Sequence, residues 1–307
     1  MDYIAGGGSN YLSYTPWADV ENIVGWYHVR TDVARKQLQT FYANGQRKLA
    51  IHIWYTEISN SSSSVVADVW RHCIKCNGGR MTSQQRQNLK NVISLALSIG
   101  FTEIVLRWGA QGANQIYRLA DWNETIFQEC WGFIFDGIIA SLELHQTVPI
   151  LFDLGGDGLG GKADYPNCKR MTIELWRAYV NKVGALRRSY AFPMGGGGTG
   201  SITQHANNML GWFQEAGLPM PGFYATNTYV NQYSTLSALQ GILTARGEGG
   251  KKIIVEECYY DDPTTADQVR KAKDVPGLVL RSIYQWPATT DGNNVSPPVL
   301  WNAYKAL

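Results

Sequence analysis

The sequence predicts an α/β protein of the (β/α)8 TIM-barrel class, folded as one domain over residues 1–307. Three observations predict it. Eight short apolar segments recur along the chain, each followed by a loop and a stretch with helical spacing of its apolar residues. Most of these segments are near-continuous in hydrophobicity rather than alternating, as parallel strands buried on both faces are. Eight such units fit within 307 residues, the usual size of a barrel of this kind. A doubly wound open sheet is the structural rival.

In order, the strand-like segments are 2–5, 48–55, 103–108, 148–154, 189–194, 222–228, 252–257 and 278–286. Between them, Thr31 and Asp32 can open a helix carrying Val33, Leu38 and Phe41 on one face, closed by Gly45. Thr82 or Ser83 can cap a second, with Leu89, Val92, Ile93 and Ala96 as its apolar stripe and Gly100 as its stop. Further helices are expected over 122–145, 172–187, 207–216, 236–246, 264–273 and 298–307. No repeat, linker or break in composition divides the chain.

Composition narrows the function classes. The 27 basic and 25 acidic residues leave a net charge of +2, which excludes a strongly basic nucleic-acid binder. The N-terminus has neither a basic nor an apolar signal region, and no apolar run reaches the ~18 residues of a membrane span. Neither a nucleic acid nor a membrane is therefore an expected partner, and the compartment stays open. Among five cysteines, Cys73 and Cys76 form a CxxC after His72, which reads as zinc ligands, a small-loop disulfide or a pair of plain thiols. No second CxxC or HxxxH completes a zinc site, so no metal and no cofactor are expected. The glycine loops at 6–8 and 195–198 match neither the dinucleotide nor the Walker phosphate pattern. With 11 Trp, 17 Tyr and 32 Gly, the chain is rich in flat aromatic faces and in positions where backbone approaches a neighbour closely.

In a barrel, functional side chains lie at the C-terminal ends of the strands. Those ends carry Asn10 and Tyr11, then Trp54 and Glu57, then Arg107, Trp108 and Gln111, then Asp153 and Asp157, then Thr199 and His205, then Asn227 and Tyr229, then Glu256 and Glu257, and finally Tyr284, Gln285 and Trp286. Strand alternation places Glu256 and Glu257 on opposite sides, so only one of them is expected to face the barrel mouth. The fourth and seventh strands lie nearly opposite each other in such a barrel. Two carboxylates there can flank a bond lying across the mouth, the arrangement that glycoside hydrolysis needs. Trp faces can stack on sugar rings, and Arg107 can orient a carboxylate.

Four short segments carry a family resemblance. Phe152-Asp153-Leu154-Gly155-Gly156-Asp157-Gly158 is similar to the F-[ED]-L-x-N-E-P segment of the cellulase-like clan A glycoside hydrolases. Ile254-Val255-Glu256-Glu257 resembles their apolar-x-Glu segment, Tyr229 matches a tyrosine that bonds the nucleophile, and Trp286 matches a sugar-flooring tryptophan. The resemblance implies a monomeric (β/α)8 enzyme cleaving a poly- or oligosaccharide with retention, Glu257 as nucleophile and Asp157 as acid/base. Asp153 is a further catalytic candidate, and Trp54, Glu57, Arg107, Trp108, Asn227, Tyr229 and Trp286 are candidate substrate-binding or orienting residues. Gly156-Asp157 replaces the family's Asn-Glu, which shortens the acid by one methylene and removes an amide donor. Glu57 and Asp153 are the substitute acids. The rival functions are a carbohydrate-binding barrel without catalysis and a metal-dependent barrel amidase or phosphodiesterase.

Overall fold

The computed structural model describes residues 8–11, 22–56, 73–76, 78–144, 149–155, 159, 161–184, 199–229, 231–258, 265–287, 289–291 and 294–296. Its strands are β1 (Gly8–Tyr11), β2 (Lys48–Thr56), β3 (Cys73–Lys75), β4 (Glu103–Ala110), β5 (Ile150–Asp153), β6 (Phe223–Asn227), β7 (Lys252–Cys258) and β8 (Val279–Gln285). A small antiparallel pair, β9 (Thr289–Asp291) and β10 (Asn294–Ser296), follows. The helices are α1 (Ile23–Trp26), α2 (Thr31–Ala43), α3 (Ser83–Ile99), α4 (Glu124–Leu142), α5 (Cys168–Lys182), α6 (Thr199–Glu215), α7 (Gln232–Ala245) and α8 (Thr265–Ala272).

The main sheet runs β5-β4-β2-β1-β8-β7-β6, with every pairing parallel. The first strand pairs with the last, and the order climbs steadily on either side of that seam. A closed (β/α)8 barrel requires this pairing, which argues against the doubly wound alternative. The expected fifth strand (189–194) and the last helix (298–307) lie outside the described residues.

Two expectations are corrected in detail. The first strand is Gly8–Tyr11, whereas the apolar run at 2–5 lies outside the described residues. The short β3, whose three residues carry no periodic signal in the sequence, pairs with Trp54–Thr56 of β2. Because β4 occupies the other edge of β2 as far as Tyr55, β3 must follow β1 along one and the same edge.

Helix limits obey the local chemistry. Thr82 caps α3 by accepting from the Gln85 N–H while the Gln85 side chain accepts from the Thr82 N–H, and Gly100 closes it at φ 116°. The Asp136 carboxylate on α4 accepts from Arg80 (2.6 and 2.8 Å) and from the Met81 N–H (3.1 Å), tying the segment before α3 to its neighbouring helix.

Two hydrophobic cores result. The larger lies between sheet and helices. The smaller, made of Ala50, Val105, Leu151, Phe223, Ala225, Ile254 and Tyr284, fills the barrel interior. Below it, Glu103 accepts hydrogen bonds from Arg281, Ser282 and Tyr284 at 2.8–2.9 Å and closes the end where the strands begin. All five cysteines are buried free thiols, so Cys73 and Cys76 form no disulfide, and burial pushes the Cys73 thiol up to about 12. Among the described residues, no helix is long and apolar enough to cross a membrane.

Glycine in β1 is a packing requirement. A Cβ on Gly8 would lie 2.3 Å from Cδ1 of the Tyr284 ring, so the glycine lets an inward aromatic fill the barrel. Gly8→Ala is expected to lower stability by about 1–3 kcal/mol through overpacking, measured by denaturant unfolding.

Candidate active site

Alternation along the strands selects the inward-facing layer. In β4, Ile104, Leu106 and Trp108 join the outer core while Val105 faces the interior, so Arg107 and Gly109 also point inward. His52 on β2, Arg107 on β4 and Asp153 on β5 are register partners across three neighbouring strands. They sit one layer above the interior core, toward the strand C-termini.

β7 departs from alternation. Its register against β8 shifts between Val255 and Cys258, and its register against β6 shifts between Thr226 and Asn227. Such irregularities insert a residue and re-aim side chains. Both glutamates consequently reach Arg107, which corrects the expectation that only one faces inward. Arg107 Nη1 lies 2.7 Å from Glu257 Oε1, and Nη2 lies 3.4 Å from Glu256 Oε2. Nε lies 3.3 Å from Asp153 Oδ2. One guanidinium therefore faces three carboxyl groups in a site where all four side chains are at most 5% exposed.

Glu257 is held on both oxygens. Oε1 takes the Arg107 contact, and Oε2 accepts from the Tyr229 hydroxyl and lies 3.4 Å from Trp286 Nε1. Trp286 Nε1 also donates to the Tyr229 hydroxyl oxygen at 3.0 Å. Donors on every side favour the charged form of the carboxyl group. Tyr229, Trp286 and Trp54 are half-buried at the mouth.

Asp153 is fully buried, and its Oδ1 accepts from the Gly155 N–H at 3.0 Å. Burial pushes its carboxyl up to about 6, against the opposing pull of Arg107. Burial also raises Glu256 well above the ordinary carboxylate range, reinforced by the neighbouring Asp153. His52 is held well below its ordinary range by burial and by the Arg107 charge, so its ring is neutral. Its Nε2 is 2.9 Å from Asn10 Oδ1 and 3.0 Å from Arg107 Nη1, donating to the first in one tautomer and accepting from the second in the other. Asn10 donates to the Glu256 main-chain oxygen at 2.9 Å, and Asn22 to that of His52 at 2.8 Å.

The predicted residues separate cleanly. Arg107, Glu257, Tyr229 and Trp286 converge in one contact network, and Asn227 is buried in register with Glu257. Trp54 packs over Gly109, where a Cβ would come within 2.6 Å of its ring, and stands edge-on to His52 at 6.1 Å. His52 also packs against Trp286 at 4.9 Å. Trp108 is not at the mouth. It is fully buried in the outer core, against Phe152 and beneath Gly137 of α4, because its strand parity is opposite to that of Arg107. Asp153 is likewise fully buried, in contact with Arg107. Glu57 and Asp157 lie outside the described residues. Asn10, expected at a strand end, is in the network, whereas Asn22 and the inward turn of Glu256 are not expected from the sequence. Parity counting from Arg107 finds the error at Trp108, but no sequence signal marks the β7 irregularity.

No known family profile matches this sequence, and no curated protein matches it. Solved structures do. A xyloglucan-specific endo-β-1,4-glucanase from a metagenomic library, XEG5A, superposes with a TM-score of 0.62 at 12% identity, over 99% of this chain and 97% of its own. A GH113 β-1,4-mannanase gives 0.59 at 10% identity, over 100% and 98%. The homocysteine methyltransferase MmuM from Escherichia coli gives 0.56 at 13% identity, over 100% and 96%. Most of the similar structures are clan A glycoside hydrolases, and the likeness is one of fold.

Replacing Arg107 by Met removes the cation that, among the described residues, faces three buried carboxyls. Arg107→Met is expected to lose about 3–5 kcal/mol of stability near neutral pH, measured by denaturant unfolding. Part of this loss should return as pH falls toward about 5, because protonation then discharges the carboxyls that lack a partner.

Proposed function

We propose that the protein is a retaining glycoside hydrolase acting on a poly- or oligosaccharide as a monomer. The observation that carries this reading is the grip on Glu257, with Arg107 on one carboxylate oxygen and Tyr229 and Trp286 on the other. A nucleophilic carboxylate must be ionised and aimed before substrate arrives, and these contacts serve both needs. The fold likeness to clan A glycoside hydrolases supports the same reading.

In the proposed reaction Glu257 attacks the anomeric carbon as the glycosidic bond breaks. Asp157 gives its proton to the leaving oxygen, then takes one from the water that releases the glycosyl group from Glu257. Trp54 and Trp286, half-buried beside His52, would offer ring faces to the sugar, and Asn227 would orient it.

An activated 2-fluoro glycoside should trap a covalent adduct on the peptide containing Glu257, detected by mass spectrometry. Glu257→Gln should lower turnover more than about 1000-fold, or on the order of 4 kcal/mol of barrier, in a polysaccharide panel that includes xyloglucan and β-1,4-mannan. A label on another residue, or activity retained in the variant, overturns the assignment. Glycan binding without turnover would instead identify a carbohydrate-binding barrel, a reading favoured by Gly155-Gly156 where clan A enzymes carry side chains. Tyr229→Phe should reduce kcat by about 10–100-fold with little change in KM, as loss of one hydrogen bond to a charged group predicts.

A further inference from the structure

We propose that Glu256 is a positioning residue that sits in the site as a neutral acid, sharing one proton with Asp153, so that the Arg107 charge is directed at Glu257.

Charge counting leads there first. Arg107 cannot deprotonate, and among the described residues it is the one positive charge meeting Glu256, Glu257 and Asp153. Among the described residues, the other groups that face this cluster are uncharged: Asn10 on β1, the neutral ring of His52 on β2, Asn227 on β6, and Tyr229 and Trp286 at the mouth. Three ionised carboxyls around one guanidinium would leave two uncompensated charges in a dry interior, so the cluster must hold a proton.

Geometry selects the holder. Glu257 receives hydrogen bonds from Arg107 and Tyr229, and Asp153 from Arg107 and the Gly155 N–H. Neither oxygen of Glu256 accepts a hydrogen bond among the described residues, and Arg107 Nη2 is 3.4 Å away. A fully buried carboxyl without donors is the one best suited to be protonated, because it then supplies a donor of its own. Asp153 is the acceptor beside it: the two carboxyls meet the same guanidinium, Asp153 Oδ2 at 3.3 Å from Nε and Glu256 Oε2 at 3.4 Å from Nη2. With Glu256 neutral, the 2.7 Å contact to Glu257 becomes the dominant ion pair of Arg107.

The sign of the pH dependence follows. A carboxyl raised in the folded state binds its proton more tightly there than in the unfolded chain, whose value is about 4.3. Its contribution to stability is complete below that value and is lost as pH rises through the folded value. Infrared spectroscopy at about pH 7 should therefore detect a protonated-carboxyl C=O band in the wild-type protein, and Glu256→Gln should remove it. In Asp153→Asn the band should shift, because the acceptor changes from carboxylate to amide. Unfolding measured across pH should show a decline in the wild type that Glu256→Gln lacks. Absence of the band in the wild-type protein, or its persistence unchanged in both variants, overturns the proposal, and the wild-type spectrum alone decides if neither variant folds. The kinetic corollary rests on the hydrolase reading: Glu256→Gln should lose the alkaline limb of kcat/KM that this proton sets, with less than a tenfold change at the optimum. The spectra and unfolding curves need no substrate, so they stand or fall separately from that reading.

Discussion

A single guanidinium organises the upper half of the barrel. Arg107 lies where β2, β4, β5 and β7 bring His52, Asp153, Glu256 and Glu257 together, and every strand around it contributes either a charge or a polar contact to the balance. Buried ion pairs gain little net stability, because desolvation offsets most of the attraction. What such a cluster gives is definition: each carboxyl has one best place relative to a planar, permanently charged fork. The rest of the site is the continuation of that choice, through Tyr229 and Trp286 outward and through Asn10 and Asn22 behind.

The scaffold keeps this cluster dry by layering. The Glu103 network with Arg281, Ser282 and Tyr284 seals the end where the strands begin, an apolar layer follows, and the charged layer lies above it. Aromatic rings inside the barrel need room, and glycines on adjacent strands supply it, Gly8 for Tyr284 and Gly109 for Trp54. The abundance of both residue types in the composition is in part this one arrangement, repeated at two levels.

Much of this was legible beforehand because barrels obey parity and place function at strand ends. Runs of apolar residues located β2, β4, β6, β7 and β8 to within two residues at either end. Polar residues at their C-termini located Arg107, Tyr229, Glu257 and Trp286. The failures have specific physical causes. Position at a strand end alone puts Trp108 on the rim, but its neighbour Arg107 points inward, so Trp108 must point outward. Glu256 was assigned away from the mouth because alternation assumes an unbroken ladder, and β7 breaks it. Strand β3 is three residues long, too short for any periodicity to register. Asn22 acts on the main-chain oxygen of His52, a contact that residue type alone does not announce.

The placement of β3 gives the barrel an uneven lip. Where β1 stops opposite Ile51, β3 resumes along the same edge of β2 from Trp54 and carries the wall upward by about 10 Å. The Cys76 N–H donates to the Thr56 carbonyl at 3.1 Å and extends this rise by one more residue. The mouth is thus bounded by a parapet on one flank, next to Trp54. Among the described residues, the extra height on this flank is set by backbone pairing between β2 and β3 and does not depend on which side chains line it.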